Sequence, residues 1–333
     1  MRPRKRPTDI FPKFPRHAAY STANGVMLKG LAENILCHSD LDSLKGKVQL
    51  IFTSPPFPLN RKKKYGNLQG DEYLNWLTKF GPMFRDLLTE NGSIVIELGN
   101  SWEPGLPVMS TLGLKALLRF QEENDLHLCQ EFICHNPARL PSPAQWVTVE
   151  RIRLKDSFTR LWWLSPSTRP KANNKNVLQE YSDAMKYLLK TKQFNAGNRP
   201  SQHHISQTAF STDNGGSIPP NVLTISNTRA NDIYQEYCRE HGIGFHPARM
   251  PTALPEFFIK FLTGAGDIVL DPFSGSNTTG AAAENLGRRW IAIEPTDHYI
   301  QGSMGRFDAD LLHIPSAHKE LLIDVELQSE IHD

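Results

Sequence analysis

The sequence predicts an α/β protein built on a mostly parallel, doubly wound sheet. Two observations support this prediction: apolar strands alternate with amphipathic helices along the chain, and two turns rich in proline or small residues directly follow apolar strands. With 333 residues, of which 39% are hydrophobic, the chain can form one large core, or a core with a smaller lobe.

The first part of the chain reads as alternating strands and helices. Strands are predicted over residues 35–38, 48–53, 93–98, 126–134 and 160–164, and helices over residues 71–88 and 108–123. The apolar and aromatic residues of 71–88 recur at helical spacing, so we assign them to the core and not to a binding site.

The second part begins with a change of composition. Residues 191–230 are rich in Asn, Ser, Gln, Gly and His, and a loop-rich region of this length is usually functional or disordered. Helices are then predicted over 232–241 and 254–263, with strands ending at Asp271 and Glu294. The expected organisation is a basic N-terminal arm (1–30), a catalytic half (31–190), a target-recognition region (191–230), a cofactor-binding half (231–310) and a peripheral C-terminal tail (311–333).

Positive charge is concentrated in two segments, although the net charge is only +2. Residues 1–16 are strongly basic, and a second run consists of Arg61, Lys62, Lys63 and Lys64. Clustered cations on an otherwise acidic body suit contact with a phosphate backbone, whereas either segment alone could equally be a solvated tail or loop.

Other features limit the class of protein. No run of about 18 apolar residues is present, and the N-terminus lacks the apolar stretch of a secretory signal, so we expect a cytoplasmic protein without membrane contact. The four cysteines form no CxxC pair, and we therefore expect neither a disulfide framework nor a metal site.

The first candidate site is the segment from Asp271 to Gly280, Asp-Pro-Phe-Ser-Gly-Ser-Asn-Thr-Thr-Gly, followed by Glu294 at the end of the next strand. A small-residue turn at a helix N-terminus leaves backbone N–H groups free for an anion, and an acidic residue about 20 positions later can bind ribose hydroxyls. This pattern fits a nucleoside that bears a carboxylate, and on its own also fits NAD. No Lys follows Gly280, so a phosphate-binding P-loop is excluded.

The second candidate site is Thr53-Ser-Pro-Pro-Phe-Pro58, directly after a strand. Two consecutive prolines end the strand and stiffen the backbone at the carboxyl edge of the sheet, where ligands of such folds bind. Alone, this segment could be no more than a proline-rich strand exit.

Together these segments resemble known motifs. Ser54-Pro-Pro-Phe57 resembles the catalytic motif of DNA amino-methyltransferases, and the segment Asp271 to Thr279 resembles their cofactor motif. Because the catalytic motif comes first, the chain resembles the permuted β group, many of whose members belong to restriction–modification systems. Residues 246–255 resemble the helix that precedes the cofactor strand in that group.

The resemblance implies S-adenosyl-L-methionine as cofactor. It assigns Glu294 to the ribose hydroxyls and Asn277, Thr278 and Thr279 to the methionine carboxylate. The remaining expected cofactor residues are Thr53, Asp271, Phe273, Gly275 and Asp40. Asp40 is assigned to the adenine with Asp42 as the alternative, although Asp40 could instead cap a helix.

The resemblance also implies the reaction. Ser at the first motif position is typical of cytosine-N4 enzymes, and C5 methylation would need a Pro-Cys nucleophile that the sequence lacks. We expect the Ser54 hydroxyl and Pro55 carbonyl to accept the amine protons, Pro56 to stiffen the turn, and Phe57 to stack on a flipped base. The alternatives are an adenine-N6 methyltransferase and a non-catalytic DNA-binding regulator.

The expected partner is double-stranded DNA. Arg61 to Lys64 would bind its phosphates and residues 191–230 would read its bases, while Trp162 and Trp163 either border the base pocket or belong to the core. We also expect a cognate restriction endonuclease that acts on the same site without a stable complex.

Overall fold

The computed structural model describes residues 10–13, 15–57, 68, 70–192, 197–198, 200–201, 204–206, 212–226 and 232–316. Within these residues the strands are β1 (Ala18–Ser21), β2 (Gly25–Lys29), β3 (Val48–Thr53), β4 (Leu88–Gly99), β5 (His127–His135), β6 (Phe158–Ser165), β7 (Gly197–Asn198), β8 (His204–Ile205), β9 (Val222–Thr224), β10 (Ile268–Asp271) and β11 (Arg289–Glu294). The helices are α1 (Ala32–Leu36), α2 (Gly70–Thr78), α3 (Phe80–Leu87), α4 (Leu112–Glu123), α5 (Asp183–Thr191), α6 (Ile233–Glu240), α7 (Ala253–Leu262), α8 (Thr278–Asn285) and α9 (Asp297–Met304).

The chain divides into two compact units. The larger unit comprises the residues up to Ala172 and those from Asn221 onward, and the smaller unit comprises Asn173–Pro220. In the larger unit the strands form one sheet in the order β1-β2-β11-β10-β3-β4-β6-β5-β9. The strands from β2 to β4 in this order are all parallel, whereas β1 and β6 run antiparallel to their neighbours. The predicted α/β class with a mostly parallel sheet is confirmed.

Helices cover both faces of this sheet because successive side chains of its strands point to opposite sides. In β3, Ile51 packs into the cluster that contains the buried residues of α1 to α4, while Leu50 and Phe52 pack into the cluster that contains those of α7. β11 behaves in the same way, with Ile291 on the first side and Trp290 on the second. Both faces are therefore apolar and covered, as expected for a doubly wound sheet.

The central strands come from opposite ends of the sequence. β3 lies between β4 and β10, and Leu270 of β10 pairs with Ile51 of β3. Because β3, β10 and β11 are parallel, their carboxyl ends meet at one edge of the sheet. This pairing brings the two sequence motifs, which follow β3 and β10, to the same edge.

The N-terminal arm predicted over 1–30 is shorter than expected. β1 and β2 form an antiparallel hairpin at the sheet edge, and β2 pairs with β11. The side chains of Ile10 and Phe11 are also buried. Gly25 permits this packing, since a Cβ there would lie 2.1 Å from the Trp290 ring. Residues 1–9, which carry much of the basic charge, lie outside the described residues.

Two predicted elements are wrong in detail. Residues 35–38 are not a strand: Ala32, Ile35 and Leu36 are buried on one side of the short helix α1, since their spacing of three and four residues suits a helix. The predicted helix 71–88 is divided at Lys79 into α2 and α3.

The remaining predicted elements of the larger unit lie within a few residues of their expected positions, except that most of the segment 246–255, which resembles a helix by its motif, precedes the helix α7. Trp162 and Trp163 are both buried in β6, where Trp162 Nε1 donates to Glu131 at 3.3 Å and Trp163 Nε1 donates to Ser93 at 2.9 Å. They belong to the core.

The smaller unit contains α5 and the short strands β7 and β8. The Ser182 hydroxyl caps α5 by accepting a hydrogen bond from the Met185 amide at 3.3 Å, and Lys192 ends it in the left-handed conformation. Backbone hydrogen bonds in both directions join Gln179 to Ser217. This unit overlaps the region predicted over 191–230 and begins earlier, at Asn173.

Candidate active site

A cavity of about 820 Å³ opens at the sheet edge where β3, β10 and β11 end. The turn that follows β3 forms part of its wall, and the turn that follows β10 forms another part, together with Glu294 at the end of β11. The two motifs of the sequence, more than 200 residues apart, therefore share one cavity.

The predicted catalytic residues Ser54, Pro55, Pro56 and Phe57 all line this cavity. The prolines cannot donate hydrogen bonds to a neighbouring strand, so the chain leaves the sheet at this point. The Phe57 ring lies against Gly99 at the end of β4, where a Cβ would approach the ring to 2.9 Å. Glycine at position 99 therefore leaves room for the ring that we expect to stack on the base.

A buried carboxyl group, which sequence reasoning missed, contacts the catalytic serine. Glu97 lies in β4 and is hydrogen-bonded by the Ser54 side chain. The Thr159 hydroxyl of the neighbouring β6 donates to Glu97 Oε1 at 2.8 Å. Burial raises the pKa of Glu97, and the hydrogen bonds from Thr159 and Ser54 oppose this shift. The available signal was a single acidic residue within the apolar strand Ser-Ile-Val-Ile-Glu-Leu.

Cys134 and Arg139 form the wall beside Glu97. Burial, together with the charge of Glu97, raises the pKa of the Cys134 thiol to about 12. A thiol of this kind is protonated at neutral pH and is not a nucleophile.

The turn after β10 is organised by Asp271. Its carboxyl group accepts hydrogen bonds from the Thr53 hydroxyl at 2.8 Å, the Thr279 hydroxyl at 2.6 Å and the Phe273 amide at 3.1 Å. Burial raises the pKa of Asp271 to about 6, against these three hydrogen bonds. Asp271 thus joins the end of β3 to the N-terminus of α8, beneath the cavity.

Glu294 closes the other side of this turn. Its Oε2 atom accepts a hydrogen bond from the Gly275 amide at 3.0 Å, and its Oε1 atom accepts one from the Thr296 amide at 2.9 Å. Gly275 has a φ of +50° and leaves no room for a side chain, since a Cβ would lie 2.9 Å from His246. Burial raises the pKa of Glu294. Each oxygen keeps a lone pair for a hydroxyl donor.

Most of the predicted cofactor residues line the cavity: Asp271, Phe273, Gly275, Thr278, Thr279 and Glu294. Thr53 and Asn277 lie behind the wall. The Asn277 side chain accepts a hydrogen bond from the Gly280 amide at 3.1 Å and donates one to the Tyr20 hydroxyl at 3.0 Å. Asn277 is therefore the cap of α8 and shapes the turn, instead of contributing its side chain to the cavity.

Asp40 and Asp42, the two candidates for the adenine contact, are both absent from the cavity wall. Asp40 Oδ2 accepts a hydrogen bond from the Arg16 amide at 3.2 Å, and Asp42 pairs with Lys45 at 2.8 Å. The acidic residue that does line this side is Glu33 of α1, whose Oε1 atom accepts a hydrogen bond from Trp76 Nε1 at 2.5 Å.

The aromatic residues of α2, which we assigned to the core alone, also form part of the cavity wall. Trp76 and Tyr73 line the cavity, and the Trp76 ring lies 5.4 Å from the Phe273 ring between centroids. The Tyr73 hydroxyl is buried and has no hydrogen-bond partner among the described residues. A buried hydroxyl without a partner at the edge of a cavity is suited to a polar ligand.

The remaining sequence predictions concern a basic run, metal binding and membrane contact. Arg61, Lys62, Lys63 and Lys64 lie outside the described residues. Within the part of the chain that is described, no group of His, Cys, Asp and Glu side chains could hold a metal ion. No helix in that same part is long and apolar enough to span a bilayer.

Comparison with known proteins identifies the family. The profile of the DNA methylase family, N6_N4_Mtase, matches residues 48–304. The type II methyltransferase M.PvuII of Proteus hauseri is 42% identical over 296 residues, which cover 88% of this chain and 87% of that relative. The chain belongs to the DNA methylase family. The predicted resemblance to DNA amino-methyltransferases is confirmed.

The fold of this methylase is shared by a solved relative. The structure of PvuII DNA methyltransferase, described as cytosine-N4-specific, matches with a TM-score of 0.72 and 34% identity, covering 94% of this chain and 95% of that one. The DNA adenine methyltransferase YhdJ of Escherichia coli (strain K12) is 48% identical over 63 residues, 19% of this chain and 21% of that relative. The methylase thus resembles a cytosine enzyme over nearly its whole length and an adenine enzyme over a short stretch.

Proposed function

We propose that this methylase transfers a methyl group from S-adenosyl-L-methionine to the exocyclic N4 amine of a specific cytosine in duplex DNA. The observation that carries this proposal is that Ser54 and Glu97 line the same cavity as Asp271 and Glu294. The first part of the cavity, at Ser54 and Glu97, offers hydrogen-bond acceptors for an amine. The second part, at Asp271 and Glu294, offers acceptors and backbone donors for a nucleoside that carries a carboxylate.

The second part fits S-adenosyl-L-methionine. The two Glu294 oxygens retain lone pairs for ribose hydroxyls, and the N-terminus of α8 at Thr278 and Thr279 offers backbone N–H groups for a carboxylate. The unpartnered Tyr73 hydroxyl and the Trp76 ring complete a wall for a polar, flat ligand. When bound, the cofactor supplies an electrophilic methyl group on a sulfonium centre.

The first part activates the amine. The Ser54 hydroxyl donates to Glu97, so its oxygen lone pairs are free to accept one N4 proton, while the Pro55 carbonyl accepts the other. These hydrogen bonds favour a pyramidal nitrogen whose lone pair can attack. After transfer the nitrogen is cationic and must lose one proton. The Ser54 oxygen accepts that proton while the Ser54 hydroxyl proton moves to the Glu97 carboxylate. The nitrogen thereby loses its positive charge, and Glu97 becomes neutral.

The base must leave the duplex for this to happen, and we propose that it is flipped into the cavity and stacked on Phe57. Ser54 at the first motif position and the similarity to a cytosine-N4-specific enzyme over most of the chain favour cytosine. Adenine-N6 methylation is the second candidate, since an adenine enzyme shares a short stretch of sequence. Ser54 and Pro55 recognise an amine and do not themselves distinguish the two bases.

We further propose that residues 191–230, part of which lies in the smaller unit, contribute to reading the DNA sequence, because their Asn, Gln, Ser and His side chains suit hydrogen bonds to base edges. The contact of Arg61 to Lys64 with DNA phosphates remains a prediction from the sequence. The similarity to a type II methyltransferase supports a role in restriction–modification, with a cognate endonuclease that acts on the same sequence independently. The methylase would then act on host DNA in the cytoplasm.

The test is the product. Purified protein is incubated with methyl-labelled S-adenosyl-L-methionine and mixed-sequence duplex DNA, which is digested to nucleosides and analysed by mass spectrometry. We expect N4-methylcytosine, and sequencing of the labelled fragments then maps the site. N6-methyladenine as sole product would overturn the base assignment alone, and 5-methylcytosine would overturn the mechanism. Sequence-specific DNA binding with no methylated product would support the non-catalytic regulator.

A further inference from the structure

The loop between β5 and β6, residues 136–157, leaves the sheet at the same edge as the catalytic turn. β5 runs in the direction of β3, because β4 is parallel to β3 and the pairings of β4 with β6 and of β6 with β5 are both antiparallel. The C-terminal end of β5 therefore lies at the cavity edge, and Arg139 of the loop lines the cavity. The loop borders the opening through which a target base would enter.

This loop is braced against the segment that follows β4, residues 100–110. Asn100 Nδ2 donates to Asp156 Oδ1 at 2.8 Å. The rings of Trp102 and Trp146, one from each segment, lie 5.3 Å apart between centroids. Contacts of this kind hold the loop backbone in place, so the side chains at its surface are displayed in a defined position.

Two leucines of the loop are almost fully exposed. Leu140 has 81% and Leu154 has 90% of its surface exposed. The Asp156 amide donates to the Ser142 carbonyl at 3.0 Å, which places the two leucines on facing arms of the same loop. One exposed leucine is ordinary on a protein surface, but two on the facing arms of a braced loop beside an active site offer apolar surface to a ligand.

The charge of the loop around the two leucines suits a polyanion. Arg151, Arg153 and Lys155 outnumber Glu150 and Asp156 in the same part of the loop. Arg151 is exposed and has a φ of +57°, a left-handed conformation that is uncommon for a residue with a side chain. Exposed apolar side chains among basic residues are the combination that enters a nucleic acid while binding its backbone.

We propose that Leu140 and Leu154 enter the duplex beside the target base and occupy the space that the flipped base leaves, while Arg151 contacts a neighbouring phosphate. The inference rests on the proposed function, because it takes the base to be flipped into the cavity. Flipping removes the stacking partners of the adjacent base pairs, and apolar side chains inserted between base steps offset that loss. The leucines hold the flipped state open and do not touch the reacting atoms.

The test compares the double variant L140S/L154S with L118S, a matched control whose leucine is exposed on α4. Two duplexes carry the mapped site, one with a paired target cytosine and one with that cytosine opposite an abasic position. A third carries 2-aminopurine at the target position, because its fluorescence rises on unstacking. Single-turnover methylation, 2-aminopurine fluorescence and S-adenosyl-L-methionine binding are measured for each protein.

On the paired duplex we expect L140S/L154S to methylate about tenfold more slowly and to lose most of the fluorescence rise. On the duplex with the abasic position the loss should be much smaller, because the target is already unpaired. Cofactor binding and the behaviour of L118S should match the unaltered protein. If the unaltered protein methylates no DNA, the proposed function itself fails.

Two results with an active parent enzyme would overturn the loop inference. One is an equal loss of rate on both duplexes together with an unchanged fluorescence rise. The other is a parent dimer in analytical ultracentrifugation that L140S/L154S converts to a fully active monomer, since the leucines would then cover a second copy of the chain.

Discussion

The Thr53 hydroxyl donates a 2.8 Å hydrogen bond to Asp271, and this contact joins the ends of two adjacent strands that are 218 residues apart in sequence. Thr53 precedes the catalytic Ser54, and Asp271 begins the cofactor turn. The contact therefore fixes the distance between the two parts of the cavity. Both groups are buried, so loss of the Thr53 hydroxyl removes one of the three hydrogen bonds that the Asp271 carboxyl group accepts.

Replacement of Thr53 by valine should lower the free energy of unfolding by about 1–3 kcal/mol, because the Asp271 carboxyl loses a buried donor. Thr53→Ser keeps the hydroxyl and is the matched control, which should lose less. Urea denaturation of both variants measures the difference. Equal stability of the valine variant and the unaltered protein would show that the hydrogen bond contributes nothing.

Asp271 should make the stability of the protein depend on pH. Its pKa is about 6 in the folded protein against 3.8 for the free side chain, so the folded state binds the proton more tightly. Stability must then fall as pH rises from about 4 to about 6, by up to about 3 kcal/mol from this group. Asp271→Asn should show a flatter profile. Denaturation at pH 4 and pH 7 tests this, and parallel profiles for the two proteins would contradict it.

Ser54 and Glu97 should act on turnover. We expect Ser54→Ala and Glu97→Gln each to lower turnover about tenfold or more while cofactor affinity stays nearly constant, because both groups act on the amine. The raised pKa of Glu97 means that it gains a proton, as pH falls, earlier than an ordinary carboxyl group does. As pH is lowered, the activity of the unaltered protein should therefore begin to decline at a higher pH than an ordinary carboxyl group would cause. The Glu97→Gln variant should lack that decline. If the activity of Glu97→Gln declined at low pH as that of the unaltered protein does, the decline would have to come from another titrating group.

Glu294 should act on cofactor binding instead. Glu294→Gln replaces one acceptor oxygen by a donor, so titration with S-adenosyl-L-methionine should show weaker binding by about tenfold, with turnover at saturation less affected. Asp40→Asn is the matched control, since Asp40 lies outside the cavity wall and should bind cofactor normally. A loss in Asp40→Asn as large as that in Glu294→Gln would restore Asp40 to the cofactor site.

The sequence predicted the elements whose signals are local. β3, β10 and β11 are short apolar runs bounded by turns, and their ends carry the motif residues Ser54, Asp271 and Glu294, which all line the cavity. The hairpin of β1 and β2 was missed, because its burial depends on pairing with the distant β11. Glu97 was missed although it is the one acidic residue in an apolar strand, because its place beside Ser54 depends on the pairing of β3 with β4.

Asp40 shows the limit of transferring a role along an uncertain stretch of sequence. On the side of the cavity formed by α1 and α2, the acidic residue in the wall is Glu33, just before the segment 35–38 that was predicted as a strand. Asn277 shows a different limit, because its side chain turns inward to cap α8 and does not line the cavity. Side-chain direction depends on packing that the motif alone does not contain.

The position of β10 beside β3 also has a consequence during synthesis. β3 emerges from the ribosome early, but the strand that covers one of its edges emerges only after the next 200 or so residues have been translated. At typical elongation rates this interval is on the order of 10 to 40 s. An apolar strand with an open edge is a template for pairing with other chains. Until β10 has been synthesised, the open edge of β3 must therefore be kept from pairing with the nascent chains on neighbouring ribosomes.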